Sequence, residues 1–335
     1  MMGGIHLEEK HNDVFRQYDM KVYNMSKARS AFLLETNQGI MLYRSYEGSK
    51  NHLEYENEIK KFLLQKQYDK VDLVVENRNG ELLTDGASGE KFLIKHWFSG
   101  EECNLHDTAD IVKAVKNLAI LHLNLVNVSI DEEKVQTYQE DSLLKVFRKH
   151  NRELKYVKSN FITKKQRNEF ELCFLANYDM FYEQAIHATE LLEQSNYLEL
   201  RKACMERKTV CHGNYTYHNI LINRDDIATT NFDKACHGMQ ISDLYLFIRK
   251  CMEKNNWNIE IGKMILAEYE KILPLDKEEL RILFLNIYYP EKFWKITNNY
   301  FNNKKSWVNS RNIQKLNSLK EQESMKAIFL ETLFS

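Results

Sequence analysis

The spacing of apolar residues changes once, at Ser99-Gly100, and that change limits the folds open to this 335-residue chain. Before it the pattern alternates. Ala31–Thr36 and Ile40–Tyr46 flank Asn37-Gln38-Gly39, a turn suited to a hairpin. Val71–Glu76 and Glu81–Leu83 flank Asn77-Arg78-Asn79-Gly80 in the same way, and Lys91–Phe98 reads as a last strand. One helix interrupts this region at residues 51–67, with Tyr55, Ile59, Phe62 and Leu63 on one side. Beyond the break the period is mostly 3.6. Ile111, Val115, Leu118, Ala119, His122 and Leu125 mark one helix, and residues 142–153 and 164–192 form long amphipathic segments. Asp243 stands at a helix start ahead of Leu244, Phe247, Ile248 and Cys251. With 2 prolines and 11 glycines the chain has little material for disordered linkers, so helix is expected to dominate.

One stretch breaks the helical half. Val210-Cys211-His212-Gly213-Asn214-Tyr215-Thr216-Tyr217-His218-Asn219 leads into a predicted hairpin, Ile220-Leu221-Ile222 against residues 227–230, and then into Thr230-Asn231-Phe232-Asp233. A loop, hairpin and turn in this order can present an acceptor base and two magnesium ligands for phosphoryl transfer. The protein's work there is positioning and charge neutralisation. Asn219 keeps the amide expected of one ligand. Asn214 occupies the base position and Asn231 the second metal position, where carboxylates would be needed. An amide has nearly the shape of a carboxylate but neither takes up a proton nor neutralises a divalent ion. Losing the base alone removes roughly 10²–10⁴ in rate, and losing a hard anionic ligand weakens magnesium binding.

The order of elements is that of an α+β, two-lobed protein-kinase-like fold. A small antiparallel-sheet lobe with one helix is expected over residues 1–99, and a large helical lobe over 100–335 that carries a degenerate catalytic loop at 211–233. Other parts of a nucleotide site are altered too. The stretch Tyr23–Ser30, expected to be the phosphate-covering loop between the first two strands, has no glycine, though Lys27 and Arg29 could meet phosphate by charge. Arg44 stands where a strand lysine would contact the phosphates, with Glu54 or Glu58 as its candidate partner. Arginine keeps the charge but not the point-charge geometry. His212 is read as backbone support for the loop. His218 and His237 have no metal-like spacing with it, and Asp233, close enough to Asn231 to substitute as a magnesium ligand, would point differently along an extended segment.

With 47 basic and 48 acidic residues the net charge is −1, which gives no global reason to expect nucleic-acid or anionic-membrane binding. The six cysteines form no C-x-x-C pair, so no zinc or redox motif is indicated and buried thiols are expected. No apolar run is long enough to span a bilayer, and Met1–Lys10 lacks a signal-peptide core, so synthesis and retention inside a cell, or in a compartment reached without classical secretion, are expected.

The His-Gly-x-x-x-x-x-Asn loop resembles that of the aminoglycoside phosphotransferase and choline kinase group. The fuller set of Cys211–Asn219, Thr230–Lys234, Ile241-Ser242-Asp243-Leu244-Tyr245, Tyr289-Pro290-Glu291-Lys292-Phe293-Trp294-Lys295 and Arg311-Asn312-Ile313 resembles the CotS-type spore coat proteins of endospore-forming bacteria. In such coat proteins the Thr-Asn-Phe turn is usual, whereas the loop more often reads His-Gly-Asp, so Asn214 is a departure. The resemblance implies a non-catalytic component of coat assembly, made in the mother cell and deposited in the spore coat. Other coat proteins would be its partners, and no cofactor or small-molecule substrate would be required. Two alternatives remain open at this point: an ATP- and magnesium-dependent small-molecule kinase using unusual residues, and a nucleotide-binding switch without transfer. The Tyr289–Lys295 block is read as core packing around Phe293, Trp294 and Ile296.

Overall fold

The structure, a computed structural model, describes residues 11–302 and 310–334. The reading of Met1–Lys10 as lacking a signal-peptide core falls outside that range. The chain forms two compact units, Met1–Tyr138 with Lys208–His237, and Gln139–Arg207 with Gly238–Ser335. Residues 100–138 and the loop region therefore group with the sheet, not with the later helices.

The first unit contains β1 (Val22–Ala28), β2 (Ala31–Thr36), β3 (Gly39–Ser45), β4 (Thr84–Asp85) and β5 (Lys91–His96), an antiparallel sheet ordered β1-β2-β3-β5-β4. The expected β2–β3 hairpin is present, with Thr36 opposite Gly39 and Gly39 at φ 104°, a left-handed value that suits glycine. Alternation then sorts the side chains. Leu34, Met41, Tyr43 and Ile94 join Phe15 and Tyr18 in a core on one face. On the other face Leu93 packs with Leu53 of helix α1 (Lys50–Gln65) and Val74.

Two expectations are corrected in this unit. The stretch expected to form a phosphate-covering loop is mostly strand: β1 runs to Ala28, which pairs with Ala31, leaving Arg29-Ser30 as a two-residue turn with Ser30 at φ 53°. The pairing of 71–76 with 81–83 is also absent. Residues 71–76 lie instead along β5 through the single bridge Val74–Lys95, where the Val75 N–H donates to the Ile94 carbonyl and the His96 N–H to the Leu73 carbonyl, both at 2.8 Å. The backbone donors of this segment are committed elsewhere: the Val74 N–H donates to Asn57 Oδ1 at 3.0 Å and the Leu73 N–H to the Val71 carbonyl at 2.8 Å, while the fully buried Asp72 meets two lysines.

Further along the unit come β6 (Glu101–Glu102), α2 (Thr108–Asn124), α3 (Glu132–Thr137), β7 (Val210–Cys211), β8 (Ile220–Asn223), β9 (Asp226–Thr229) and β10 (Cys236–His237). β6, β8 and β9 make one small antiparallel sheet, and β7 pairs with β10.

The second unit is helical: α4 (Leu143–Thr163), α5 (Glu169–Glu193), α6 (Tyr197–Glu206), α7 (Ile241–Lys254), α8 (Ile259–Glu270), α9 (Lys277–Tyr288), α10 (Glu291–Asn302) and α11 (Ser310–Phe334). α5 starts at 169 and not at 164 because Asn168 and Glu171 cap each other's backbone N–H groups. Asp243 lies within the first turn of α7, whose N-cap is Gln240. The Tyr289–Lys295 block is packing. Phe293 stacks on Phe174 and Phe181, Tyr289 lies on Phe147, and Trp294 lies on His150 while donating to Glu153 at 2.7 Å. No helix among the described residues is long and apolar enough to cross a membrane.

Candidate active-site cleft

Within the first unit, the face of β2 and β3 opposite the aromatic core borders a cavity of about 310 Å³. Ala31, Leu33, Leu42 and Trp97 give it an apolar wall, and Arg44, Asn214, Asn219, Asn231 and Asp233 give it a polar one. The cavity thus brings together Arg44, Asn214, Asn219 and Asn231, while His212 and Glu58 are not among its lining residues.

The loop is shaped from both ends. Gly213 has φ 74°, and a Cβ there would lie 2.0 Å from the Lys234 carbonyl oxygen, so only glycine lets the loop lie against the 231–234 turn. His212, fully buried, accepts the Asn214 N–H at Nδ1 (3.2 Å) and donates from Nε2 to the Thr230 carbonyl (3.0 Å). Those two bonds fix one neutral tautomer. Its ring lies 4.5 Å from that of Phe232, also buried.

Both ends of the Asn219 amide are occupied. Its Nδ2 donates to the Asn214 carbonyl at 2.9 Å, and its Oδ1 accepts from Asn231 Nδ2 at 2.8 Å. The two residues read as metal-ligand positions are therefore bonded directly to each other, donor to acceptor. Asn231 holds a left-handed backbone, φ 62°, which asparagine tolerates better than most residues. Its N–H donates to the Asp72 carboxylate at 3.0 Å. Asp233 is exposed, and it is its backbone carbonyl that accepts from His52, at 2.7 Å. Among the described residues no three or more His, Cys, Asp or Glu side chains are grouped to hold a metal ion.

Arg44 and Glu58 are not brought together. Glu58 pairs with Lys134 at 2.5 Å, and no carboxylate among the described residues lies within ion-pair distance of Arg44. The strand-to-helix ion pair is made elsewhere. Lys95 of β5 meets Glu56 of α1 at 2.7 Å and Asp72 at 3.0 Å, while Lys60 meets Glu56 at 2.5 Å and Asp72 at 3.2 Å. Helix geometry accounts for the difference. Two residues along an α-helix turn the side chain through about 200°, so an inward Glu56 leaves Glu58 facing away. All four cluster residues are essentially inaccessible, and two cations alternate with two anions. Burial opposes ionisation of Glu56, but Lys95 and Lys60 outweigh it and hold the carboxyl well below its ordinary range. Through Asp72 the cluster fixes the Asn231 turn. Sequence reasoning misses the cluster, although Lys95 within Phe92–Phe98 and Asp72 within Val71–Val75 are charges embedded in apolar runs.

At the rim, Glu102 receives His218 Nδ1 at 2.5 Å and lies 3.7 Å from Arg29. These groups are partly exposed, and such pairs contribute about 0–1 kcal/mol.

Comparison with known proteins places this geometry. Residues 11–333 match the family described as "Spore coat putative kinase YutH". Spore coat protein S of Bacillus subtilis (strain 168) is 25% identical over 171 residues, 49% of this chain and 47% of that protein, so the match spans about half of the curated relative. Among solved structures, an aminoglycoside phosphotransferase from Alicyclobacillus acidocaldarius superposes with a TM-score of 0.83 at 15% identity, over 95% of this chain and 93% of that one. A spectinomycin phosphotransferase solved with ADP and spectinomycin gives 0.69 at 12% identity, over 98% and 99%. These likenesses establish a kinase-like aminoglycoside phosphotransferase fold.

Proposed function

This chain belongs to the YutH family of kinase-like spore coat proteins, and we propose that it serves the spore coat without transferring phosphate, as a binding component of coat assembly. The observation that carries this reading is the Asn231–Asn219 hydrogen bond of 2.8 Å. A magnesium site needs oxygens converging on a cation. Here one amide turns its nitrogen toward the other's oxygen, and the pair is satisfied without metal. Asn214, at the base position, adds no proton acceptor. His212 supports the loop, and Arg44 and Glu58 do not make the ion pair that would order an ATP site. Synthesis in the mother cell, deposition in the coat and contacts with other coat proteins complete the proposal, supported by the family and by the likeness to spore coat protein S.

One observation favours a second reading, nucleotide binding without transfer. The Nε of Arg44 is buried with no hydrogen-bond partner beside an open cleft, and a buried unpaired polar group calls for a water or ligand. The test of the first reading is ADP release by the purified chain with ATP, magnesium and aminoglycoside, choline-type and sugar acceptors. No turnover above background is expected. Turnover of about 1–100 s⁻¹, ordinary for kinases, would overturn it.

A further inference from the structure

Cys211 and Cys236 stand directly opposite each other in the two-residue antiparallel ladder of β7 and β10. Their neighbours establish what kind of pair they are. The Val210 N–H donates to the Leu125 carbonyl at 3.0 Å and the His237 N–H to the Tyr138 carbonyl at 2.8 Å, both away from the ladder. Antiparallel pairs alternate in kind, so Cys211 and Cys236 are the pair facing each other through backbone hydrogen bonds, with Cα atoms about 5.5 Å apart. Directly opposite residues project to the same face. A Cα separation of about 5.5 Å lies within the usual range for a disulfide, and the Cβ atoms of such a pair, about 4.5–5.5 Å apart, need to close to about 3.5–4.5 Å for the bond to form. Tyr55 stands by the same ladder, its ring 6.1 Å from that of His237, and burial, with Cys236 and Cys211 after it, raises its hydroxyl far above the ordinary range. No disulfide joins the two cysteines in this structure.

We propose that Cys211 and Cys236 form a reversible disulfide site that staples the segment carrying Asn214, Asn219 and Asn231. The two residues bracket the loop, the β8–β9 hairpin and the turn, so one bond would close that segment of the candidate site into a ring. Access orders the steps. Cys211 is 1% exposed and Cys236 is partly exposed, so Cys236 meets a small disulfide oxidant first. Its thiolate attacks one sulfur of oxidised glutathione. The glutathione S–S bond breaks, and one glutathione leaves as thiolate and takes up a proton. The Cys211 thiolate then attacks the Cys236 sulfur of the mixed disulfide and expels the second glutathione. Two protein thiols are oxidised, and one glutathione disulfide is reduced to two thiols. A reducing cytosol keeps the pair open, and an oxidising environment closes it. Neither the absence of phosphoryl transfer nor coat membership is needed for this step.

The test equilibrates the full-length chain across glutathione redox ratios, blocks thiols with an alkylating agent and maps proteolytic peptides by mass spectrometry. Expected is a Cys211–Cys236 cross-linked peptide two hydrogens lighter than its parts, a fall of two in the thiols titratable after denaturation, and slowed amide exchange across residues 212–235. In Cys211→Ser, glutathione should remain attached to Cys236. Glutathione on Cys236 of the unaltered chain without cross-linking, Cys236 joined to another cysteine, or all six thiols surviving oxidised glutathione would each overturn the proposal. Peptide mapping of the unaltered chain decides between these outcomes even where a variant fails to fold.

Discussion

Replacing Asp72 by asparagine removes one charge from a closed set of four. Asp72 is fully buried, meets Lys95 at 3.0 Å and Lys60 at 3.2 Å, and accepts the Asn231 N–H at 3.0 Å. The amide oxygen of asparagine can keep the Asn231 bond, so the loss is electrostatic: two buried ammonium groups would share the single carboxylate of Glu56. Breaking a buried ion pair on one side costs about 3–5 kcal/mol. In a unit of this size each kcal/mol moves the melting temperature by about 2–4 °C, so a fall of roughly 6–20 °C is expected in the transition of the first unit. Scanning calorimetry reads it, with hydrogen exchange at the Asn231 amide as a local probe. Asp72→Asn combined with Lys95→Met balances the charges again and should recover more than half the loss, since removing both partners is far milder than removing one. A fall below about 2 °C for the single variant, a size ordinary for surface changes, would refute the argument that the cluster holds the fold and the turn together.

Asn231→Asp sets a carboxylate oxygen against Asn219 Oδ1, 2.8 Å from the present nitrogen position. The variant should melt lower than the unaltered chain without divalent cation and regain the loss when magnesium is added. Gly213→Ala forces φ 74° on alanine and drives its Cβ into the Lys234 carbonyl. A loss of at least about 2 kcal/mol is expected in the stability obtained from urea unfolding. In the second unit, burial pushes the Glu140 carboxyl up from 4.5 to about 7, against the bond it accepts from the Met239 N–H. The folded state then holds a proton that the unfolded chain has released, so stability should decline as pH rises from 4.5 to about 7. Glu140→Gln should flatten that decline in denaturation curves measured across the range.

Much of this arrangement is legible in local sequence, for reasons that particular residues make plain. Asn37-Gln38-Gly39 between alternating runs specifies the β2–β3 hairpin because the turn needs a left-handed residue where glycine stands. Asn219 and Asn231, read as two metal-ligand positions on either side of a hairpin, are brought to hydrogen-bond distance because the β8–β9 register leaves little freedom in the turn after it. The four-charge cluster is not legible. Its members come from α1, the 71–76 segment and β5, and nothing local says that Lys95 meets both Glu56 and Asp72. The expected phosphate-covering loop is shortened to the Arg29-Ser30 turn, which still lines the cavity. A stretch without glycine is free to continue as strand, and β1 does so to Ala28. The position of Arg44 in β3 is enough to place it in the cleft, but its partner cannot be chosen without the rotation of α1.

Isothermal titration calorimetry of the unaltered chain with ATP, with and without magnesium, alongside the Asn214→Asp, Asn231→Asp double variant, tests the amide-filled site most directly. The unaltered chain should show no magnesium-dependent heat, and the double variant should gain it. Magnesium-dependent ATP binding by the unaltered chain would contradict the reading of Asn219 and Asn231 as a closed, metal-free pair.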